Sequence, residues 1–171
     1  VDKAESEVEK AFEINATGPK NLAQVCSEFD TILIQISTDF VFDGEKTEPY
    51  TETDVANPIS VYGASKLQGE VEIKKIVKKH FIIRTSWLYS EHGNNFMKTM
   101  LRLAETRDEI SVVSDQIGTP TYAGDLAAVI LKIVSSKNTN FGLYHYSSEG
   151  AVSWYDFAKA IFELKDIFIK V

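Results

Sequence analysis

A single cysteine, Cys26, is all the chain has. One thiol excludes an internal disulfide and agrees with a reducing compartment. Its plain reading is a small apolar group on a helix. Long hydrophobic runs are also missing: no stretch approaches the roughly 20 apolar residues needed to span a bilayer. The acid-rich start, Val1 to Glu13, has neither the charged n-region nor the apolar h-region of a signal peptide. The expectation is a cytoplasmic protein that uses no membrane. Excess positive charge is absent too. The net charge is −7 and Lys and Arg are spread along the 171 residues, so no nucleic-acid surface is expected. No carboxylate group has metal-ligand spacing; Glu5, Glu7 and Glu9 read as a solvated helix face, and no metal site is expected.

What is present is a regular alternation of helix and strand patterns. Asp2 to Ser27 reads as helical, with apolar positions at Ala11, Ile14, Leu22 and Val25, and with Gly18-Pro19 as a kink or fresh start. The apolar, β-branched run within Asp30 to Ser37 predicts a strand buried on both faces of a parallel sheet. A loop from Asp43 to Pro58 enters a helix that carries Tyr62 and continues through Val77, with Lys78-Lys79 at its end. Phe81 to Leu88 predicts a second buried strand, and Arg84 within it requires a partner. Asn95 to Thr106 is amphipathic. Ile110 to Val113 reads as a short strand, and Gly124-Asp125 as the cap of a helix running through Val134. Leu143 to Tyr146 is strand-like. Ser153 to Leu164 reads as a helix with Ser153 as its N-cap, and Ile167 to Val171 as the start of another strand. Alternating strands and helices predict an α/β chain with a parallel sheet, its ligands at the carboxyl ends of the strands. Ser37-Thr38-Asp39 and Ser86-Trp87 fall at those ends.

The stretch from Val61 to Glu70, V-Y-G-A-S-K-L-Q-G-E, carries the chemistry. Tyr62 and Lys66 are four residues apart and share one helix face. A free phenol has a pKa of about 10, and bringing it to about 7 needs roughly 4 kcal/mol. A unit charge about 5 Å away, at an effective dielectric of about 20, supplies roughly 3 kcal/mol. The pair is competent for proton transfer, although Tyr-x-x-x-Lys alone also arises on ordinary solvated helices.

Several further segments stand in order with it: V-D-K-A-E at Val1, I-N-A-T-G-P at Ile14, I-S-T-D-F-V-F-D-G at Ile36, N-P-I-S-V-Y-G-A-S-K-L-Q-G-E at Asn57, R-T-S-W-L-Y at Arg84 and D-Q-I-G-T-P-T-Y-A-G-D-L-A at Asp115. Together they resemble the extended short-chain dehydrogenase/reductase family, on the branch that reduces dTDP-4-keto-6-deoxysugars. The resemblance implies part of a Rossmann-like doubly wound parallel sheet with a small α/β substrate-binding portion. It assigns residues 1–91 and 123–140 to the cofactor domain and 92–122 and 141–171 to the substrate portion. It implies NADPH or NADH as hydride source and a dTDP-sugar as substrate. Tyr62 would be the proton donor to the 4-keto oxygen, Lys66 the group that tunes it and holds the nicotinamide ribose, and Thr38 the hydroxyl at the reacting oxygen. Asp39 and Trp87 would line the sugar-nucleotide pocket, and Asn15 would support the lysine on the cofactor side. A homodimer, with Mg²⁺ at the dimer contact, also follows from the resemblance alone.

One local difference separates reduction from elimination. The related 4,6-dehydratases carry Asp-Glu after the threonine, whereas here Asp39 is followed by Phe40. An epimerase of the same family stays open on these residues. So does a non-catalytic binding subunit of the kind that regulates methionine adenosyltransferase. The nine glycines show no Gly-rich dinucleotide fingerprint, which in the family opens the chain. The expectation is therefore a middle portion of an enzyme, with roughly 60 residues of βα structure before Val1.

Overall fold

The computed structural model describes all 171 residues. Helices α1 (Asp2–Ser6) and α2 (Val8–Phe12) run into a π-helical turn, Glu13–Thr17, and then into α3 (Gly18–Glu28). Helical backbone continues through Thr17 and Gly18, so Gly18-Pro19 is not a fresh start; Pro19, which has no N–H to give the Asn15 carbonyl four residues back, follows directly on the π-helical turn. Strand β1 (Leu33–Thr38) passes through a 3₁₀ turn, Asp39–Val41, and a long loop into α4 (Val61–Ile76).

Two side chains satisfy the first amides of α4, which an isolated helix would leave orphaned. Ser60 Oγ accepts from Gly63 N at 3.0 Å, and Glu5 Oε1 accepts from Val61 N at 2.8 Å. Glu5 is thus more than part of a solvated face. The helix closes at Ile76, so Lys74 and Lys75 occupy its last turn, not Lys78-Lys79. Lys79 instead pairs with Asp30 at 2.5 Å.

Strand β2 (His80–Thr85) is followed by β3 (Leu88–Tyr89), α5 (Phe96–Ala104), β4 (Ile117–Gly118), β5 (Thr121–Tyr122), α6 (Ala123–Ser135), β6 (Gly142–His145), β7 (Val152–Ser153) and α7 (Trp154–Glu163). The single strand read from Phe81 to Leu88 is broken in two at Ser86-Trp87, where Trp87 has φ +46°. Asp125 does not cap α6. The N-cap position is Tyr122 and makes no side-chain bond, while Asp125 lies in the first turn, where its charge suits the helix dipole. Ser153 does cap α7, in a reciprocal box with Asp156. Residues 110–113 form no strand, and the strand-like end contributes one bridge, Glu109 to Lys170.

Contacts group residues 1–85 with 137–146, and residues 86–136 with 147–171. This division by compactness differs from the division by role read from the sequence. β6 joins the first unit because it pairs with β2, and α6 joins the second.

The first unit is built on a parallel sheet of order β1-β2-β6, the α/β arrangement anticipated. Leu33 to Thr38 pair in register with His80 to Thr85, and Phe81 to Arg84 with Gly142 to His145. Because side chains alternate along a strand, Leu33, Gln35 and Ser37 share a face with His80, Ile82 and Arg84. Helices α3 and α4 cover that face through Ala23, Leu33, Ile73, Val77 and Ile82, with half-buried Cys26 packed alongside. Ile73 and Ile82 are fully buried, contributing about 1.5–3 kcal/mol each. Phe81, Ile82, Ile83 and Arg84 are buried in succession, as a two-sided strand requires, whereas β1 is half-buried from Ile34 to Ile36.

Two glycines let α4 lie against neighbouring backbone. A Cβ at Gly63 would stand 2.1 Å from the Phe40 carbonyl oxygen, and one at Gly69 would stand 2.2 Å from that of Asn15. The second unit has its own core of Met100, Ile110, Ala158, Ile161 and Phe162, with the short pairs β3–β5 and β4–β7.

Candidate active site

The carboxyl end of β1 and the first turns of α4 bring Thr38, Asp39, Tyr62 and Lys66 into one part of the first unit. Thr38 closes the strand and caps the 3₁₀ turn: its Oγ1 accepts from Phe40 N at 3.2 Å and donates to Asp39 Oδ1 at 3.1 Å. The Tyr62 phenol lies near the Thr38 hydroxyl, which acts to lower its pKa. Its ring meets that of Phe40 edge-on, with centroids 5.6 Å apart at 80°. Phe40 is held there by the turn that Thr38 caps. The residue after Asp39 thus presents a hydrocarbon edge to the phenol, not a second carboxylate.

Electrostatics here follow burial. Burial pushes the Tyr62 phenol above its ordinary value; the Thr38 hydrogen bond opposes this, and the charge of Asp39 adds to it. Asp39 is itself raised by burial, against the hydrogen bonds from Thr38 and the turn amides. Lys66 is lowered by burial, with the charge of Glu70 opposing. The tuning expected of Lys66 on the phenol is therefore not the effect that dominates. The ammonium donates instead to the Ile36 carbonyl at 2.7 Å. The site keeps Tyr62 protonated, which is the state a proton donor needs.

Asn15 belongs to the π-helical turn, and its Nδ2 donates to Ser65 Oγ at 3.1 Å. Ser65 in turn donates to the Tyr62 carbonyl at 2.8 Å. Its contact with α4 thus falls on the residue before Lys66. Trp87 belongs to the second unit, where it stacks on Trp154 with centroids 3.5 Å apart at 11°. Surface hollows of the chain, one along Asn94 to Glu105 and one beside Cys26 and Lys79, hold none of these residues.

One functional neighbour escaped the sequence reading. Glu70 is fully buried behind Lys66 and takes up Arg84, the buried strand arginine that required a partner, through two bonds: Nε to Oε1 at 2.9 Å and Nη2 to Oε2 at 2.7 Å. The signal was available, since 62, 66 and 70 form one i, i+4 row on α4.

Comparison with known proteins now bears on this site. The family model described as RmlD substrate binding domain matches residues 1–169. The chain belongs to that family. Among members of the RmlD family, the dTDP-4-dehydrorhamnose reductase of Aggregatibacter actinomycetemcomitans is 48% identical over 167 residues, which is 95% of this chain and 57% of that protein. The crystal structure of a dTDP-4-dehydrorhamnose reductase from Clostridium acetobutylicum superposes with a TM-score of 0.96 at 51% identity, covering all of this chain and 60% of that one. That of the Bacillus anthracis enzyme, in complex with NADP, gives 0.96 at 47% identity, covering 99% and 60%. The chain thus spans less than two thirds of the length of these RmlD relatives.

No helix is long and apolar enough to cross a membrane. No group of three or more His, Cys, Asp or Glu residues could hold a metal ion.

Proposed function

We propose that this chain is part of an NAD(P)H-dependent reductase that converts the 4-keto group of dTDP-4-dehydro-L-rhamnose to the alcohol of dTDP-L-rhamnose. The observation that carries the proposal is the placement of the Thr38 hydroxyl and the protonated Tyr62 phenol together, one helical turn from Lys66, at the carboxyl end of a parallel strand. The names of the relatives support the substrate, and the Phe40 edge against the phenol supports reduction over elimination.

The donor set fits a dinucleotide. The Lys66 ammonium uses one proton on the Ile36 carbonyl and has two more to offer a ribose. Thr85 Oγ1, which pairs in register with Thr38 at the strand end, is buried without a protein partner. The nicotinamide, when bound, supplies the hydride to the carbonyl carbon. The chain supplies the rest. Tyr62, and Thr38 once its hydroxyl proton turns from Asp39 Oδ1, donate hydrogen bonds to the oxygen where negative charge develops. Tyr62 then transfers its proton there, giving the alcohol and leaving a tyrosinate beside Lys66. Trp87 and Asp39 contact the sugar nucleotide, Asn15 steadies the α4 backbone, and the protein acts as a homodimer.

The test is NADPH or NADH consumption by the purified full-length protein with the dTDP-4-keto sugar. Tyr62→Phe should lower kcat on the order of 10²–10⁴-fold with KM little changed. Wild-type protein that consumes no reduced cofactor with this substrate overturns the proposal. Interconversion of sugars without net consumption would make it an epimerase.

A further inference from the structure

Further along the proposed catalytic face of α4 lies a buried polar cluster that the reduction itself does not use. Glu70 is 1% exposed, Ser37 4% and Arg84 5%. Ser37 Oγ donates to Glu70 Oε1 at 2.6 Å, and Arg84 grips both carboxylate oxygens. Lys74, one turn further along α4, stands 3.7 Å from Oε2. The guanidinium also lies over the Phe42 ring at 5.1 Å, and Phe42 stacks on Tyr50 at 4.2 Å.

A buried ion pair is a poor device for stability alone, because a well-packed apolar trio of the same volume would serve as well or better. It is a good device for register, because a bidentate fork has one geometry. The three members sit on three different elements: Glu70 on α4, Ser37 on β1 and Arg84 on β2. Each strand member is one residue from the threonine that ends its strand, Thr38 or Thr85, and those two are themselves paired in register. Glu70 is one turn beyond Lys66 and two beyond Tyr62.

We propose that Glu70, held by Arg84 and Ser37, is a positioning residue that fixes how far α4 slides along β1, and so sets the Tyr62 phenol against the Thr38 hydroxyl. One carboxylate ties the helix bearing the proton donor to the strand bearing its hydroxyl partner. Glu70 also faces Lys66, whose charged form its own charge favours. The idea rests on the reductase reading for its kinetic test, and has a second test that does not.

The kinetic test uses full-length protein. Glu70→Gln places an amide N–H or a weaker acceptor against the guanidinium and breaks the fork. A misplacement near 1 Å costs on the order of 10²-fold in turnover, so kcat should fall by about that factor with KM for the sugar nucleotide little changed. In a Tyr62→Phe background the same change should lower kcat little further, because the phenol it positions is gone. Losses that multiply in the double variant mean a general structural role and overturn the proposal. If Glu70→Gln does not fold, Ser37→Ala removes a single bond from the cluster and should show the same non-additivity with Tyr62→Phe at a smaller loss.

The second test needs no turnover. In a near-ultraviolet difference titration of wild type against Tyr62→Phe, the half-buried phenol beside Asp39 should ionise above its ordinary value. The Glu70→Gln or Ser37→Ala change should bring it back toward that value. An unmoved titration in a folded variant refutes positioning even if the reductase reading stands. A moved titration in a protein that reduces no keto sugar keeps the positioning and discards the reductase.

Discussion

Gly63→Ala offers a test in which stability and turnover should part company. The Cβ it adds would stand 2.1 Å from the Phe40 carbonyl oxygen and 2.9 Å from its carbon. Contacts between carbon and carbonyl oxygen sit at about 3.3–3.6 Å, so the first turn of α4 must separate from the Asp39–Val41 turn by roughly 1 Å. Neither partner is a flexible side-chain end; both are backbone. Overpacking of this kind costs about 1–3 kcal/mol, and in the first turn of a helix alanine recovers at most the about 1 kcal/mol it gains over glycine in a helix interior. The net loss of stability is therefore about 0–3 kcal/mol, and the variant should fold. Turnover should suffer far more. Tyr62 precedes Gly63, while Thr38 and Asp39 lie on the other side of the gap that opens, and 1 Å between such groups costs on the order of 10²-fold. The assay pairs urea unfolding with kcat for NADPH-dependent reduction in the full-length protein. A folded Gly63→Ala protein with wild-type kcat would show that α4 need not touch the Phe40 backbone, and the geometric argument would fail.

Arg84→Met should leave the Glu70 carboxylate buried without its fork and cost about 3–5 kcal/mol in denaturant unfolding; adding Glu70→Met should recover most of that loss, and no recovery would mean the cluster is not an isolated charge problem. Gly118→Ala would drive a Cβ to 2.5 Å from the Trp87 ring. The ring must then leave its stack on Trp154, and the near-ultraviolet circular dichroism of the stacked indoles should collapse while the far-ultraviolet signal stays. Asp54 carries a pH dependence. Lys46 beside it and the Thr51 amide hold its carboxyl at about 2, below the ordinary 3.8. Its folded-state pKa being depressed, its contribution is fully present above the ordinary value and is lost as pH falls through about 2. Asp54→Asn should flatten that acid limb of the unfolding curve, and an unchanged limb would contradict the assignment.

Much of the first unit was legible because its signals are local. Short β-branched runs between helical patterns gave β1 and β2, and Tyr62 and Lys66 announced a shared helix face by spacing alone. Arg84 inside an apolar strand signalled a buried partner, though not which one. Glu70 was hidden because a glutamate late in a helix ordinarily points to water; only the tertiary position of β2 turns it inward. The π-helical turn at Glu13–Thr17 was readable only as the kink at Gly18-Pro19, since Pro19 has no N–H for the Asn15 carbonyl. The break at Trp87 was unreadable for a similar reason. Tryptophan seldom takes positive φ, and the conformation is held by the stack on Trp154 and the pairing of Thr121 with the Trp87 carbonyl. Burial, which the electrostatic sketch of Lys66 and the phenol left out, acts first on both groups.

The tryptophan stack has a practical consequence. The chain has two tryptophans, and both are in it. Tryptophan emission from these residues is consequently a report from one place, the bend that carries Trp87 and the first residue of α7. The proposed contact of a sugar nucleotide with Trp87 can therefore be tested by emission intensity in stopped flow, with no label attached. Each indole is also the other's natural control, since replacing either one by phenylalanine leaves a lone emitter at the same place.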